Sequence, residues 1–219
     1  MIYKDAPNVV LDNFFTEDQT RRIYDLVQNT EHTSFQQHLS YVSWHIKLPQ
    51  DIIDSVTKVA EDIIGEGLVL AEYNFSRYQK TISDCRKLWF NPLLFPHIDN
   101  AFEGKRFTID VQVKSNVDWE IVVDNWKSEE TFTLKDNQAL TFSGTHQVHW
   151  RPKKEFKDEE FLEALFLHFV PKFHNFKSEQ EKEEILSRRD YQYAIWEQTP
   201  GVTSNPTEGS YWWLKCIIS

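Results

Sequence analysis

The sequence predicts a mainly β fold flanked by α-helices, with the strand number of a jelly roll. Between Leu68 and Val170 the helical period disappears, and short runs rich in Val, Ile, Phe, Trp and Thr recur between turn residues. Such a pattern is typical of an all-β sandwich or barrel. Eight runs can be counted, at 68–79, about 88–97, 106–114, 119–123, 130–134, 138–142, 147–151 and 161–170.

Two amphipathic helices are predicted ahead of this β block. Thr16 and Gln19 have the spacing of a capping box, which predicts a helix from residue 16 to about 29. A second helix is predicted to begin near Asp51, which can cap it, and to end before Gly65. The apolar residues of this second helix fall on one face and are Ile52, Ile53, Val56, Ala60, Ile63 and Ile64.

The length of 219 residues and the lack of a linker rich in Pro, Gly or Ser favour a single domain, 1–219. We expect residues 1–66 to form an N-terminal strand and helices, residues 67–171 the β core, and residues 172–219 a C-terminal helix and tail. Within the last part, a second capping-box pattern at 178–181 predicts a helix that runs to residue 189.

Composition excludes several classes of partner. With 34 acidic and 24 basic residues the net charge is −10, which disfavours nucleic acid. The two cysteines, Cys85 and Cys216, are far apart, which favours a reducing compartment and excludes cysteine-type zinc sites. We find no apolar run of the ~20 residues that a membrane span requires, and no signal-peptide pattern at the N-terminus. We therefore expect a cytoplasmic protein that binds neither nucleic acid nor membrane.

One set of residues in the β block has the chemistry of a metal site. His97 and Asp99 lie at the end of the second run, one residue apart, so their side chains point to the same side of the strand. His149, in the seventh run, can supply a second imidazole. Two histidines and one carboxylate form the facial triad of non-haem Fe(II) oxygenases, which leaves three adjacent metal positions open.

The second histidine has two candidates, His146 and His149. Because they are three residues apart, they face opposite sides of an extended strand, and only one can reach the metal. His149 is favoured because it lies in the extended run QVHWRP, whereas His146 follows the turn residues Gly144 and Thr145.

Over most of its length the chain resembles the Fe(II)/2-oxoglutarate-dependent oxygenases of the prolyl-hydroxylase-like branch. The resemblance is carried by NVVLDNFFTEDQTRRIYDLV, YNFSRYQK, FPHIDN, KRFTIDVQV, DNQALTFSGTHQVHWRP and FLEALFLHFV. It implies a cupin-like double-stranded β-helix with N-terminal helices packed on the barrel. It also implies Fe(II) bound by His97, Asp99 and His149, with O2 and 2-oxoglutarate as co-substrates that yield succinate and CO2 as a substrate C–H bond is oxidised.

The residue that binds 2-oxoglutarate departs from the pattern of the family. Many relatives place an Arg or Lys near the start of the last strand, where this chain has the acidic segment 155–163 and no arginine. Arg151 is the leading candidate, because it lies two residues from His149 on the same strand and should face the same interior. Arg77 and Arg106 are second choices, and His168 could donate a hydrogen bond to a carboxylate in the same cavity.

These observations predict an Fe(II)/2-oxoglutarate-dependent dioxygenase that hydroxylates a C–H bond. Its substrate would be an amino acid, a peptide or protein side chain, or another small molecule. Halogenation is disfavoured because halogenating relatives lack the carboxylate that Asp99 supplies here. Two alternatives stay open: an oxygenase with a different outcome, such as desaturation or demethylation, and a non-catalytic jelly-roll binding module in which the triad is incidental.

Overall fold

The computed structural model describes residues 6–31, 34–36, 40–82, 89–99 and 106–172. The helix predicted over 178–189 and the tail after it lie outside the described residues. Along the chain the elements are β1 (Val9–Leu11), α1 (Glu17–Gln28), β2 (Ser34–Gln36), β3 (Tyr41–Trp44), α2 (Gln50–Ile64), β4 (Leu68–Gln79), β5 (Thr81–Ile82), β6 (Trp89–Phe90), β7 (Leu94–His97), β8 (Phe107–Ser115), β9 (Ile121–Asp124), β10 (Glu129–Phe132), β11 (Gln138–Phe142), β12 (Val148–Arg151) and β13 (Phe161–Pro171).

The strands form two main antiparallel sheets. The larger has seven strands in the order β1-β11-β8-β13-β4-β3-β2, and the smaller has four in the order β10-β9-β12-β7. Strands β5 and β6 pair as a separate two-stranded sheet. This arrangement confirms the predicted jelly-roll fold. Within the described ranges, no helix is long and apolar enough to cross a membrane.

All eight predicted runs contain strands, but the second run is divided. Strands β6 and β7 are separated by 91–93, which includes Pro92. Proline lacks a backbone N–H to donate to the ladder, so Pro92 favours this break, whereas Pro96 is accommodated inside β7 because β7 is an edge strand. Strands β2 and β3 were not predicted. Strand β3 pairs with β4, with Tyr41 opposite Tyr78, and β2 pairs with β3. The two strands thus extend the larger sheet at this edge.

The two helices differ in how they begin. At α1 the predicted capping box is present, since the Gln19 amide donates to Thr16 Oγ1 and the Thr16 amide donates to Gln19 Oε1. The predicted cap of α2 is wrong, because Pro49 occupies that position and Asp51 lies in the first turn. The Asp51 carboxylate instead accepts two hydrogen bonds, of 2.6 and 2.7 Å, from Arg22 of α1.

Strand alternation divides the seven-stranded sheet into an apolar outer face and an inner face that carries both polar and apolar side chains. The apolar face contributes to one buried cluster with Ile23 of α1 and with the four buried residues of α2; its members include Phe75, Phe107, Ile109, Val111, Leu165, Leu167 and Phe169. Their sequence neighbours point the opposite way, into the space between the sheets. That inner face includes Asn74, Ser76 and Tyr78 of β4, Thr108 and Asp110 of β8, and Phe166 and His168 of β13.

Replacing Phe75 tests the packing of the apolar cluster. Its ring is fully buried between Tyr24 of α1 and Trp44 of β3. We expect Phe75→Ala to lower the free energy of unfolding by about 3–5 kcal/mol, because the lost contacts leave a cavity. Urea denaturation measures this loss. Val69→Ala on the same strand, at a side chain 43% exposed, should change stability by less than about 0.5 kcal/mol. Similar losses in the two variants would contradict this packing.

Candidate metal centre

His97, Asp99 and His149 lie together between the two main sheets. His97 ends β7, and His149 lies directly opposite it on the paired strand β12, with the two ring centroids 4.2 Å apart. Asp99 follows β7 by two residues. Its Oδ1 lies 3.4 Å from His149 Nε2 and 3.9 Å from His97 Nε2. One ligand atom from each residue lies within 4.8 Å of the other two, as a shared metal ion requires.

Backbone carbonyls orient both imidazole rings. His97 Nδ1 lies 2.7 Å from the Phe95 carbonyl oxygen, and His149 Nδ1 lies 3.1 Å from that of Gln147. A carbonyl oxygen can only accept a hydrogen bond, so Nδ1 carries the proton in each ring. The lone pair of each Nε2 is then free to face the other ligands, the arrangement usual for metal-binding histidines.

The Asp99 carboxylate is held by the opposite sheet. Thr108 donates to Asp99 Oδ2 at 2.6 Å, and His168 Nδ1 lies 3.3 Å from the same oxygen. The Asp99 amide donates to the Gly144 carbonyl at 2.7 Å, which fixes the backbone. With Oδ2 occupied in this way, Oδ1 is the oxygen directed at the two histidines.

The three side chains shift each other's pKa. Burial raises the pKa of Asp99, but the facing imidazoles of His168 and His149 outweigh burial and hold it well below its usual range. Burial lowers the pKa of His97 to about 4, with a further decrease caused by His149. Burial also lowers the pKa of His149, but the Asp99 carboxylate outweighs this effect and raises it. Asp99 is therefore ionised and His97 neutral near pH 7, which are the ligand forms a metal ion binds.

His146, the alternative second histidine, has other contacts. Its Nδ1 lies 3.2 Å from Ser143 Oγ and 3.1 Å from Thr145 Oγ1, and its side chain is buried in the turn before β12. Among the residues that the structure describes, the group able to hold a metal contains His149 and not His146. His149 is therefore the histidine that lies beside His97 and Asp99, and its role as a metal ligand stays a prediction.

A cavity of about 170 Å3 adjoins the three ligand residues. The rest of its wall carries hydroxyl, amide, carboxylate and imidazole groups among apolar side chains; these polar residues are Tyr41, Asn74, Ser76, Tyr78, Thr108, Asp110 and His168. Burial raises the pKa of the phenols of Tyr41 and Tyr78, which therefore stay protonated and able to donate hydrogen bonds. Within the described ranges, no lysine or arginine lines this cavity.

Each arginine proposed as the 2-oxoglutarate anchor pairs with a carboxylate. Arg151 faces the interior as expected, but it is fully buried and its Nη2 lies 3.0 Å from Asp110 Oδ2. Its Nη1 donates to the Trp119 carbonyl at 2.9 Å. The strand position predicted which way Arg151 faces but could not reveal its partner, because Asp110 comes from the opposite sheet.

The other anchor candidates are also engaged. Arg77 forms a 3.0 Å ion pair with Glu163, and Arg106 forms a 2.7 Å ion pair with Glu72. His168 does line the cavity, but its Nδ1 contacts Thr108 and Asp99. In this structure it therefore contacts the Asp99 carboxylate.

Among the described residues, several that lie at this site were not predicted as site residues, including Tyr41, Thr108, Asp110 and Gly144. Apolar and polar residues alternate along β8, and Asp110 is the acidic residue among its polar positions. That carboxylate was the sequence signal for Asp110. Gly144 was interpreted only as a turn residue. The structure shows a second reason for glycine, since a Cβ there would overlap Asp99 Oδ2 and Thr108 Oγ1.

Known proteins were compared with the chain. No protein-family model matches it, and no curated protein matches its sequence. HygX from Streptomyces hygroscopicus, crystallised with nickel and 2-oxoglutarate, aligns with a TM-score of 0.58 at 9% identity, over 80% of this chain and 87% of that one. A prolyl hydroxylase from Trichoplax adhaerens, in complex with a hypoxia inducible factor peptide, aligns with a TM-score of 0.50 at 13% identity, over 84% and 88%. The non-heme alpha ketoglutarate dependent epimerase SnoN aligns with a TM-score of 0.58 at 12% identity, over 93% and 89%.

The chain therefore has the fold of the Fe(II)/2-oxoglutarate oxygenases. This result confirms, for the fold, the resemblance that the sequence motifs indicated. Together, fold and site define the class: a jelly roll with two histidines and one carboxylate gathered between its sheets.

Gly144 provides a test of the metal centre. We expect Gly144→Ala to weaken Mn(II) binding roughly 10–100-fold, as other changes around metal ligands do, because the added Cβ displaces the Asp99 carboxylate. Isothermal titration measures the affinity. Gly67→Ala is the control, since a Cβ there would have its nearest neighbour at 3.8 Å, an ordinary contact. If both variants bound metal like the unaltered chain, the close packing of Gly144 on Asp99 would be refuted.

The buried pair of Arg151 and Asp110 provides a test of stability. We expect Arg151→Met to cost about 3–5 kcal/mol, because it leaves a carboxylate buried without its partner. Combining it with Asp110→Asn should recover part of that loss, since no buried charge then remains at the pair. Urea denaturation of the single and double variants measures both values. A double variant less stable than Arg151→Met would contradict this explanation.

Proposed function

We propose that this chain is an Fe(II)- and 2-oxoglutarate-dependent oxygenase, with residues 1–219 acting as one domain. The observation that carries the proposal is the convergence of His97, Asp99 and His149, whose ligand atoms lie within 4.8 Å of one another. Two imidazoles and one carboxylate are the donor set of non-haem Fe(II) oxygenases, and they leave three adjacent positions for other ligands.

The residues present fit an Fe(II) ion. His97 and His149 would each bind through Nε2, because their Nδ1 protons are directed at carbonyl oxygens. Asp99 would bind through Oδ1, because Thr108 and His168 occupy its other oxygen. All three side chains are thus oriented before any metal arrives, which lowers the entropic cost of binding it.

When bound, Fe(II) would allow O2 to oxidise 2-oxoglutarate to succinate and CO2 and, in the same reaction, to oxidise a C–H bond of the substrate. The protein contributes the position and environment of the reacting molecules. The adjoining cavity of about 170 Å3 can admit a small co-substrate, and the apolar part of its wall, including Leu94, Ile121 and Phe142, limits water around it.

Hydroxylation of a small molecule or of a polypeptide side chain is the outcome we propose. The carboxylate of Asp99 disfavours halogenation, since with a metal bound it would occupy the position that a halide needs. A different oxidative outcome is the second candidate, and the similarity of the fold to that of the epimerase SnoN favours keeping it. Other structural neighbours bind hygromycin B or a peptide, which supports both substrate classes.

Metal content and succinate formation test the proposal together. We expect the purified chain to bind one Fe(II) and, with 2-oxoglutarate and O2, to form succinate slowly even without its substrate. His149→Ala should lose metal binding and with it succinate formation, because only two ligands remain. His45→Ala, at an exposed histidine away from the site, is the control and should retain both.

Two results would reject the proposal. One is failure of the unaltered chain to bind any divalent metal. The other is equal succinate formation by the unaltered chain and His149→Ala. A jelly-roll module without catalytic function would also form no succinate, and its ligand binding would survive replacement of His97 and Asp99 by alanine.

A further inference from the structure

Asp110 has a buried carboxylate oxygen that no group in the described part of the chain satisfies. The side chain is 1% exposed and lines the cavity beside the metal ligands. Asp110 Oδ2 accepts a 3.0 Å hydrogen bond from Arg151, but Asp110 Oδ1 has no hydrogen-bond partner. A buried oxygen of this kind normally has a partner, because an unsatisfied charged acceptor is costly. Because Asp110 lines the cavity, a ligand held there can supply that partner.

The distance from the metal ligands to Asp110 suits one small molecule. Thr108 contacts Asp99, and Asp110 lies two residues further along the same face of β8, or roughly 7 Å at the usual rise of a strand. A ligand that chelates the metal with one end and extends into the cavity therefore brings its other end near Asp110. The phenol groups of Tyr41 and Tyr78 lie in the same wall.

The charge of this wall is not that expected for binding a carboxylate. Within the described ranges no lysine or arginine lines the cavity, and the nearest guanidinium, that of Arg151, is already paired with Asp110. The distal carboxylate of a dicarboxylate such as 2-oxoglutarate has no proton to donate, so it would place acceptor oxygens against Asp110 Oδ1. An N–H or O–H group would instead satisfy Asp110 Oδ1 with a charge-assisted hydrogen bond.

We infer that Asp110 determines which ligands the cavity accepts: it favours a metal chelator whose distal end donates a hydrogen bond over one that ends in a carboxylate. The inference rests on the proposed function, because it takes the metal centre as the place where the ligand is held. It adds the chemical class of the ligand, a 2-oxo acid or similar chelator with an amide, alcohol or amine at its far end. Accordingly, the unaltered chain binds 2-oxoglutarate, the co-substrate of the proposed function, more weakly than it binds such a ligand.

Two stable chelators test the inference without turnover. Pyridine-2,4-dicarboxylate and its 4-carboxamide bind a metal through the same ring nitrogen and 2-carboxylate, have the same shape, and differ in the charge of the distal group. Both are titrated calorimetrically into the full chain loaded with Mn(II), and 2-oxoglutarate is titrated in parallel. We expect the carboxamide to bind at least tenfold more tightly than the dicarboxylate.

Asp110→Asn removes the charge and keeps the size of the side chain. In this variant the preference for the carboxamide should fall at least tenfold, and 2-oxoglutarate should bind at least tenfold more tightly than to the unaltered chain. Asp124→Asn is the matched control, because Asp124 is also buried with one unpartnered oxygen but does not line the cavity. It should keep the preference of the unaltered chain.

Three results would overturn the inference: tighter binding of the dicarboxylate than of the carboxamide by the unaltered chain, an unchanged preference in Asp110→Asn, or no binding of either chelator to the Mn(II)-loaded chain. The first is informative even if Asp110→Asn fails to fold. Because these titrations measure affinity rather than succinate, they stand apart from the test of the proposed function. An oxygenase that forms succinate but prefers the dicarboxylate would retain the proposed function and refute only the inference.

Discussion

The arrangement of the site depends on one carboxylate, that of Asp99, which is shared between two sheets. Its Oδ1 faces the two histidines of the four-stranded sheet, while its Oδ2 is held by Thr108 and His168 of the seven-stranded sheet. Buried charge of this kind is costly unless every lone pair is used. The cost is offset because donors from the larger sheet occupy one oxygen and the other is directed at the space where a metal ion can bind. Gly144 completes the arrangement, since only hydrogen fits between its backbone and Asp99.

Strand alternation gives the larger sheet two different surfaces. One face buries apolar side chains against α1 and α2, and the other presents polar side chains to the space between the sheets. The two helices thus cover the apolar outer face of the sheet. The inner face therefore does not have to consist of apolar side chains alone. It can carry groups such as Thr108, Asp110 and His168 that a conventional sandwich core would exclude. This apolar cluster and the residues of the site therefore lie on opposite faces of the same strands.

Pairing of charges controls the electrostatics of the interior. Arg77, Arg106 and Arg151 each contact a carboxylate from another strand or segment, so their positive charge is largely balanced inside the protein. Among the residues that the structure describes, the cavity wall consequently presents phenol, amide and carboxylate groups to a ligand and no guanidinium. This wall differs from that of the family that the sequence resembles, in which a basic residue near the start of the last strand binds the co-substrate. The chain is acidic overall, and at the cavity this shows as Asp110, whose Oδ1 has no hydrogen-bond partner among the described residues.

The sequence by itself determined the elements and the metal-binding candidates. Periodicity located α1, α2 and the strands of the β block, and the spacing of His97 and Asp99 placed two ligands on one side of a strand end. These features follow from local rules, in which turn residues, caps and alternation act within a few residues. The partners of the arginines, strands β2 and β3, and the need for glycine at 144 were decided only by the tertiary structure. Each depends on contact between segments far apart in the chain, such as Asp110 and Arg151 from opposite sheets, and no local pattern encodes which of several charges will meet across the interior.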